Sequence, residues 1–158
     1  MKIIVFSDSH GNVSNMLEVV EREAPDRVFH LGDYLRDAQE LQMAYPDLTV
    51  DAVPGNCDWH SKAAHETKLT IEGYSLLLCH GHDYGVKSGL GSLAYHARQE
   101  KVSMALFGHT HEAQVARRGG VRLCNPGSCG MGYEPTYGVL TIQDGCASFS
   151  IKPVQEEE

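Results

Sequence analysis

The sequence predicts an α/β protein made of two packed sheets with helices on the outside. Apolar strand-length runs alternate with helix-period segments through the first third of the chain, the pattern of parallel strands joined by right-handed crossovers. Each of those runs stops at a polar turn. From Lys68 onward the alternation gives way to short strands separated by hairpin turns, which adds strands of a different connection.

Lys2 to Ser7 reads as a buried strand ending at Asp8-Ser9-His10-Gly11. Asn12 or Ser14 can then cap a helix that carries Val13, Met16, Leu17 and Val20 on one face, and Pro25 breaks it. Arg27 to Leu31 forms the second strand, stopped by Gly32-Asp33, and a helix from about Tyr34 to Ala44 follows. The third strand, Leu48 to Val53, ends at Pro54-Gly55-Asn56. Leu69 to Ile71 and Ser75 to Cys79 read as a hairpin turning at Glu72-Gly73-Tyr74. A helix near Leu90 to Gln99 leads to the apolar strand Ser103 to Phe107. Four short strands close the pattern: Ala113 to Arg117, Val121 to Cys124, Gly138 to Ile142 and Ala147 to Ile151. Gly119-Gly120 and Asp144-Gly145 mark the hairpin turns between them.

At 158 residues, one domain over residues 1–158 is expected, with about 153–158 a frayed acidic tail. Hydrophobic content of 42% beside 22% charged residues belongs to a globular chain. No apolar run approaches the roughly 20 residues that span a bilayer, so no membrane partner is expected. The apolar start at Ile3 to Phe6 is too short for a signal peptide. Five cysteines without a CxxC pair argue against a disulfide framework and against a cysteine zinc site; together these features lead us to expect a reducing cytoplasm. The net charge of −8 repels polyanions, so no duplex nucleic acid partner is expected either. Homo-oligomerisation is not readable from these residues.

Five polar segments interrupt the apolar pattern: Asp8-Ser9-His10, Gly32-Asp33, Gly55-Asn56-Cys57-Asp58, His80-Gly81-His82 and Gly108-His109-Thr110-His111. Most of them end a strand, and in open α/β sheets ligands bind beyond the carboxyl ends of strands. Carboxylate, amide oxygen and imidazole together suit transition ions better than calcium, which prefers oxygen alone. Each segment alone reads equally well as a turn. Five of them in order at element boundaries read as one site.

In that order the segments resemble the ordered motifs D-x-H, GD, GN-[HC]-D, H and GHxH of the calcineurin-like metallophosphoesterase superfamily. The resemblance runs from Met1 to about Phe149, and the Cys after Gly-Asn resembles the small bacterial and archaeal phosphodiesterases. It implies a four-layer α/β/β/α sandwich and a phosphoester hydrolase, a phosphodiesterase before a phosphomonoesterase. Carried over by position, it implies one ion held by Asp8, His10, Asp33 and His111, and a second held by Asp33, Asn56, His80 and His109. Asp33 would bridge two divalent ions, Mn being the ion expected and Ni, Fe, Zn, Co or Mg others that such donors accept. A bridging hydroxide would then attack phosphorus in line with the leaving oxygen. Asn56 can ligate through its carbonyl while its NH₂ donates to the developing phosphate charge. Two ions, two aspartates and a hydroxide leave the site locally positive on an acidic protein, which favours a small phosphate ester as substrate.

Many members of the superfamily carry a His at the position of Cys57 that protonates the leaving group, and a thiol is a poor substitute. His82 is the candidate for another acid, with a supporting position behind the ligands as the other reading; Asp58 is read as an orienter or a turn residue rather than a ligand. His30 reads as packed or hydrogen-bonded, His60 and His65 as surface loop, and His96 as exposed on its helix. Asn125-Pro126-Gly127-Ser128 matches a turn found in the same superfamily and is read as structural. The competing function is a non-catalytic metal-binding scaffold for protein interaction on the same fold, as the small retromer component resembles.

Overall fold

The computed structural model describes residues 1–156. In chain order the elements are β1 (Lys2–Phe6), α1 (Val13–Glu23), β2 (Arg27–His30), α2 (Leu35–Ala44), β3 (Thr49–Ala52), β4 (Glu66–Ile71) and β5 (Tyr74–Cys79). A 3-10 turn over His82–Tyr84 precedes α3 (Gly91–Gln99), β6 (Met104–Leu106), β7 (Gln114–Arg118), β8 (Val121–Asn125), β9 (Thr136–Gln143) and β10 (Cys146–Pro153). They build two five-stranded sheets, ordered β10-β9-β1-β2-β3 and β4-β5-β6-β8-β7. β1, β2 and β3 pair parallel through the α1 and α2 crossovers, and the antiparallel hairpin β9-β10 extends that sheet beyond β1.

Side chains alternate across each strand and so divide the apolar residues between three cores. Ile3, Val5, Phe29 and Leu31 point at the other sheet and meet Leu76, Leu78, Met104 and Leu106. Their neighbours Ile4, Phe6 and Val28 point outward and are covered by Met16, Val19 and Val20 of α1 and Leu41 of α2. On the far side, Leu77, Ala105, Phe107 and Leu123 are covered by Leu93, Ala94 and Ala97 of α3. The result is the four-layer α/β/β/α sandwich. Each fully buried aliphatic side chain contributes roughly 1.5–3 kcal/mol relative to exposure.

Of the two cap candidates, Asn12 caps α1, its side chain accepting from Asn15 N at 3.2 Å. Two departures from expectation bear on the packing. β4 starts at Glu66 rather than Leu69, because its register with β5 continues to the Glu66–Cys79 pair. The tail expected to fray from about 153 is packed at its start: β10 runs through Pro153, and Val154 is buried, with its carbonyl accepting from Arg22 at 3.0 Å. Glu157 and Glu158 lie outside the described residues. Among the described residues no helix is long and apolar enough to cross a membrane. All five cysteines are free.

Candidate metal centre

The loops that follow β1, β2, β3, β5 and β6 meet at one edge of the sandwich. Asp8 and Asp33 are both buried, and three imidazole nitrogens surround their oxygens. Asp8 Oδ1 lies 3.3 Å from His111 Nε2, 3.6 Å from His80 Nε2 and 3.7 Å from His10 Nε2. Asp33 Oδ2 sits between His80 Nε2 at 3.3 Å and His10 Nε2 at 3.7 Å. The His109 ring is 5.1 Å from that of His80, and the His111 ring is 5.2 Å from that of His10. Three ligand groups result, Asp8-His10-His111, Asp8-Asp33-His80 and His10-Asp33-Cys57.

The donor set fits a cation. Asp8 Oδ1, His10 Nε2 and His80 Nε2 are buried and make no hydrogen bond among the described residues. Leaving three such atoms unsatisfied costs about 1–3 kcal/mol each in a protein interior unless something binds them. His80 shows how the fold prepares its nitrogen: Nδ1 donates to Leu31 O at 2.7 Å, which fixes the tautomer that leaves the Nε2 lone pair free. Burial opposes protonation of His80, but the nearby Asp33 and Asp8 carboxylates outweigh it, and its pKa rises. Burial likewise opposes ionisation of Asp33, yet His80 and the Cys57 amide hold its carboxyl well below the usual range. Burial, with the neighbouring His80 and Lys87, lowers His109 to about 4, so its imidazole stays neutral and free to ligate.

Further groups hold these side chains in place. Asp8 Oδ2 accepts from Ser7 Oγ at 2.6 Å and from the His109 amide at 3.0 Å, tying the first loop to the last. Asp58 accepts from Asp33 N at 3.0 Å and Gly55 N at 2.8 Å through Oδ2, and from Leu35 N at 2.8 Å through Oδ1. Two glycines are required by contact: a Cβ on Gly55 would run into Asp33 Oδ1, and one on Gly108 into Ser7 Oγ. Asp8, His10, Asp33, His109 and His111 all adopt positive φ, between 45° and 71°. For residues with a Cβ this conformation is uncommon and clusters at functional sites.

Asn56 is exposed on the β3 loop, with Nδ2 3.8 Å from Cys57 Sγ, and among the described residues it forms no hydrogen bond with Asp8, His10, Asp33 or His80. It adjoins the cluster through Cys57 N, which donates to Asp33 Oδ1 at 2.9 Å. Burial and then the Asp33 charge push the Cys57 thiol up to about 11. The His82 ring lies 5.5 Å from His80 and 6.2 Å from His109, and its Nε2 is 3.5 Å from Asp83 Oδ1.

Other residues behave differently from their sequence reading. His96, expected to be exposed, donates from Nε2 to Glu66 Oε2 at 2.8 Å and stacks on Tyr84, whose hydroxyl bonds the same carboxylate. His65 lies on the surface but bonds Asp83 Oδ2 at 2.7 Å. Sequence reasoning missed a buried relay under the first loop. Gly32 N donates to His30 Nδ1 at 3.2 Å, so Nε2 carries the proton toward Ser9 Oγ at 2.9 Å, and Ser9 donates to Asp37 Oδ2 at 2.7 Å. The Asn125–Ser128 turn was legible, but its task was not: Asn125 Nδ2 donates to Gly108 O at 3.2 Å, and Ser128 Oγ donates to Asp8 O at 2.8 Å.

These features define a metal-dependent hydrolase of phosphoric esters, and the chain belongs to the calcineurin-like phosphoesterase superfamily, whose domain model matches residues 1–145. It is 30% identical to the "Probable metallophosphoesterase YsnB" of Bacillus subtilis, over 94% of this chain and 88% of that one. It is 26% identical to the phosphodiesterase MJ0936 of Methanocaldococcus jannaschii, over 90% of this chain and 94% of that one. Among solved structures, a conserved Streptococcus pneumoniae TIGR4 protein superposes with a TM-score of 0.78 at 28% identity, covering 97% of this chain and 89% of that one. Entamoeba histolytica Vps29, solved with zinc, shares the fold at TM-score 0.77 and 20% identity, covering 98% of this chain and 100% of that one.

Proposed function

We propose that this protein hydrolyses phosphodiesters at a centre of two divalent ions, Mn²⁺ first among them. The observation that carries this reading is the set of buried, unsatisfied donor atoms at the strand ends: Asp8 Oδ1, His10 Nε2 and His80 Nε2. Asp8, His10, Asp33 and His111 would hold one ion, and Asp33, Asn56, His80 and His109 the other. When bound, such a pair supplies Lewis acidity to the phosphoryl oxygens and makes the water it shares acidic enough to act as nucleophile near neutral pH.

The chain's own residues do the rest. Asp33, with Oδ2 between the His10 and His80 nitrogens, would serve both ions. Asp58 holds the backbone of both the Asp33 and Gly55 loops, so the ligands do not reorganise as charge builds. Asn56 offers its NH₂ to an equatorial phosphoryl oxygen. Cys57 is a weak hydrogen-bonding thiol, and His82, whose ring lies 5.5 Å from that of His80, is the group assigned to protonate the leaving oxygen. The archaeal relative, a phosphodiesterase, supports diesters before monoesters.

The test is hydrolysis of bis-p-nitrophenyl phosphate and p-nitrophenyl phosphate after metal stripping and Mn²⁺ addition, beside Asn56→Ala and His80→Ala. Cleavage restored by metal and lost in both variants supports the reading, and the preferred ester decides diester against monoester. A folded, metal-binding protein silent with every divalent ion would turn the reading to a scaffold. For His82, the His82→Ala variant should lose alkyl esters far more than aryl esters; equal loss on both would remove it from the mechanism.

A further inference from the structure

The chain has a single tryptophan, Trp59, and it stands 81% exposed. An indole so exposed contributes little to the fold, and its position is informative. It lines a cavity of about 300 Å³ together with Tyr34, Arg36, Cys57 and His60. That volume is at the lower end for small-molecule sites and fits a group the size of one nucleoside.

The cavity adjoins the candidate metal centre. Tyr34 follows the ligand Asp33 directly, and its ring meets that of His10 edge-on at 5.1 Å. Cys57 donates its amide to Asp33 Oδ1 at 2.9 Å. A phosphoester seated on Asp8, Asp33 and the histidines would therefore have this cavity beside one of its ester arms. The walls offer flat faces and one cation. The Arg36 guanidinium lies 4.8 Å over the Tyr34 ring, and the Trp59 and His60 rings are 6.5 Å apart. Arg22 and Arg27 pair with carboxylates, whereas Arg36 forms no ion pair among the described residues. Stacking faces next to a free donor fork are what recognise a nucleobase, which has two π faces and acceptors along its edge. A saturated acyl arm would leave those faces unused.

We propose that the Tyr34–Arg36–Trp59 cavity is the subsite for a nucleobase-bearing arm, which makes the substrate class a nucleotidyl phosphoester. This rests on the phosphoesterase reading of the adjoining centre.

Because Trp59 is the sole tryptophan, its emission reports on the cavity without a label. The full-length protein is titrated with AMP and with ribose 5-phosphate, with and without Mg²⁺, by fluorescence and by calorimetry. AMP should quench the emission saturably and bind about 10-fold or more tighter than ribose 5-phosphate, since base stacking contributes ~1–3 kcal/mol. In Trp59→Ala that advantage should collapse in calorimetry while the thermal midpoint stays unchanged. Arg36→Met, which keeps the indole, should weaken AMP more than ribose 5-phosphate. Equal binding of the two ligands, unaltered emission, or an AMP advantage that persists in Trp59→Ala would each overturn the proposal and assign the indole to a macromolecular surface. Cleavage of bis-p-nitrophenyl phosphate by the same preparation is measured in parallel. Active enzyme without an AMP preference sinks this subsite alone, whereas inactive enzyme sinks the phosphoesterase reading.

Discussion

Replacing Asp58 by Asn tests whether the two loops that carry Asp33 and Asn56 are held by one carboxylate. Asp58 accepts three backbone N–H groups, two at Oδ2 and one at Oδ1. An amide has one accepting oxygen. Its better orientation keeps that oxygen on Asp33 N and Gly55 N and turns the NH₂ toward Leu35 N, where two donors face each other. Hydrogen bonds to a charged group contribute about 1.5–3 kcal/mol each and neutral ones about 0.5–1.5, so losing one outright and neutralising two should cost about 3.5–6 kcal/mol. Urea unfolding with metal chelated measures this. The same disorder should reach the ligands, with metal affinity falling about 10–100-fold, as expected for groups that orient a ligand without touching the ion. Calorimetric Mn²⁺ titration should find weaker binding with the stoichiometry unchanged. A variant within about 0.5 kcal/mol of the parent, at equal affinity, would refute the positioning role. So would the loss of one ion per chain, because that would make Asp58 a ligand.

His30 gives a pH signature. Burial lowers its pKa from 6.5 to about 4, so the unfolded chain takes up a proton before the folded one does. Its contribution is present above pH ~6.5 and lost as pH falls toward 4, reaching about 2 kcal/mol at pH 5. The stability difference between the parent and His30→Gln in metal-free urea melts should shrink by that amount from pH 7.5 to pH 5; a constant difference would show that His30 titrates normally. Gly108→Ala would force a Cβ into Ser7 Oγ and to 2.7 Å from Asp8 Oδ2, costing about 1–3 kcal/mol by overpacking. Adding Ser7→Ala should restore part of that stability in thermal melts, and strict additivity of the two substitutions would refute the contact.

The candidate metal ligands stand out in the sequence because their signal is local. Asp8, Asp33, His80 and His109 each follow an apolar strand, and a polar residue at a strand end stands out against that background. The layer order was legible for a related reason: the period of two in Ile3 to Phe6 assigns alternate residues to opposite faces. What holds the ligands was not legible. Ser128 reaches Asp8 O across 120 positions, and Ser9 reaches Asp37 across 28, and no periodicity links such pairs. The same holds for His96, whose partners Glu66 and Tyr84 come from a strand and a turn elsewhere in the chain. Helical spacing alone therefore put it in solvent.

The backbone of the site carries a second message that the residue types hide. Five of the seven proposed ligands have left-handed φ, although none is glycine and two glycines stand next to them for contact rather than conformation. Each such residue costs of order 1–3 kcal/mol and persists only where the surroundings over-determine it. Here the surroundings are identifiable: Asp58 on the Asp33 loop, Ser128 and the Ser9–Asp37 relay on the Asp8 loop, and Asn125 on the Gly108 loop. Strained ligands and unsatisfied ligand atoms occur at the same positions, Asp8 and His10 having both. A fold selected for stability alone would have relieved one or the other. A bound cation offsets both costs at once, because the twisted backbone is what turns the oxygen and nitrogen lone pairs toward a common centre.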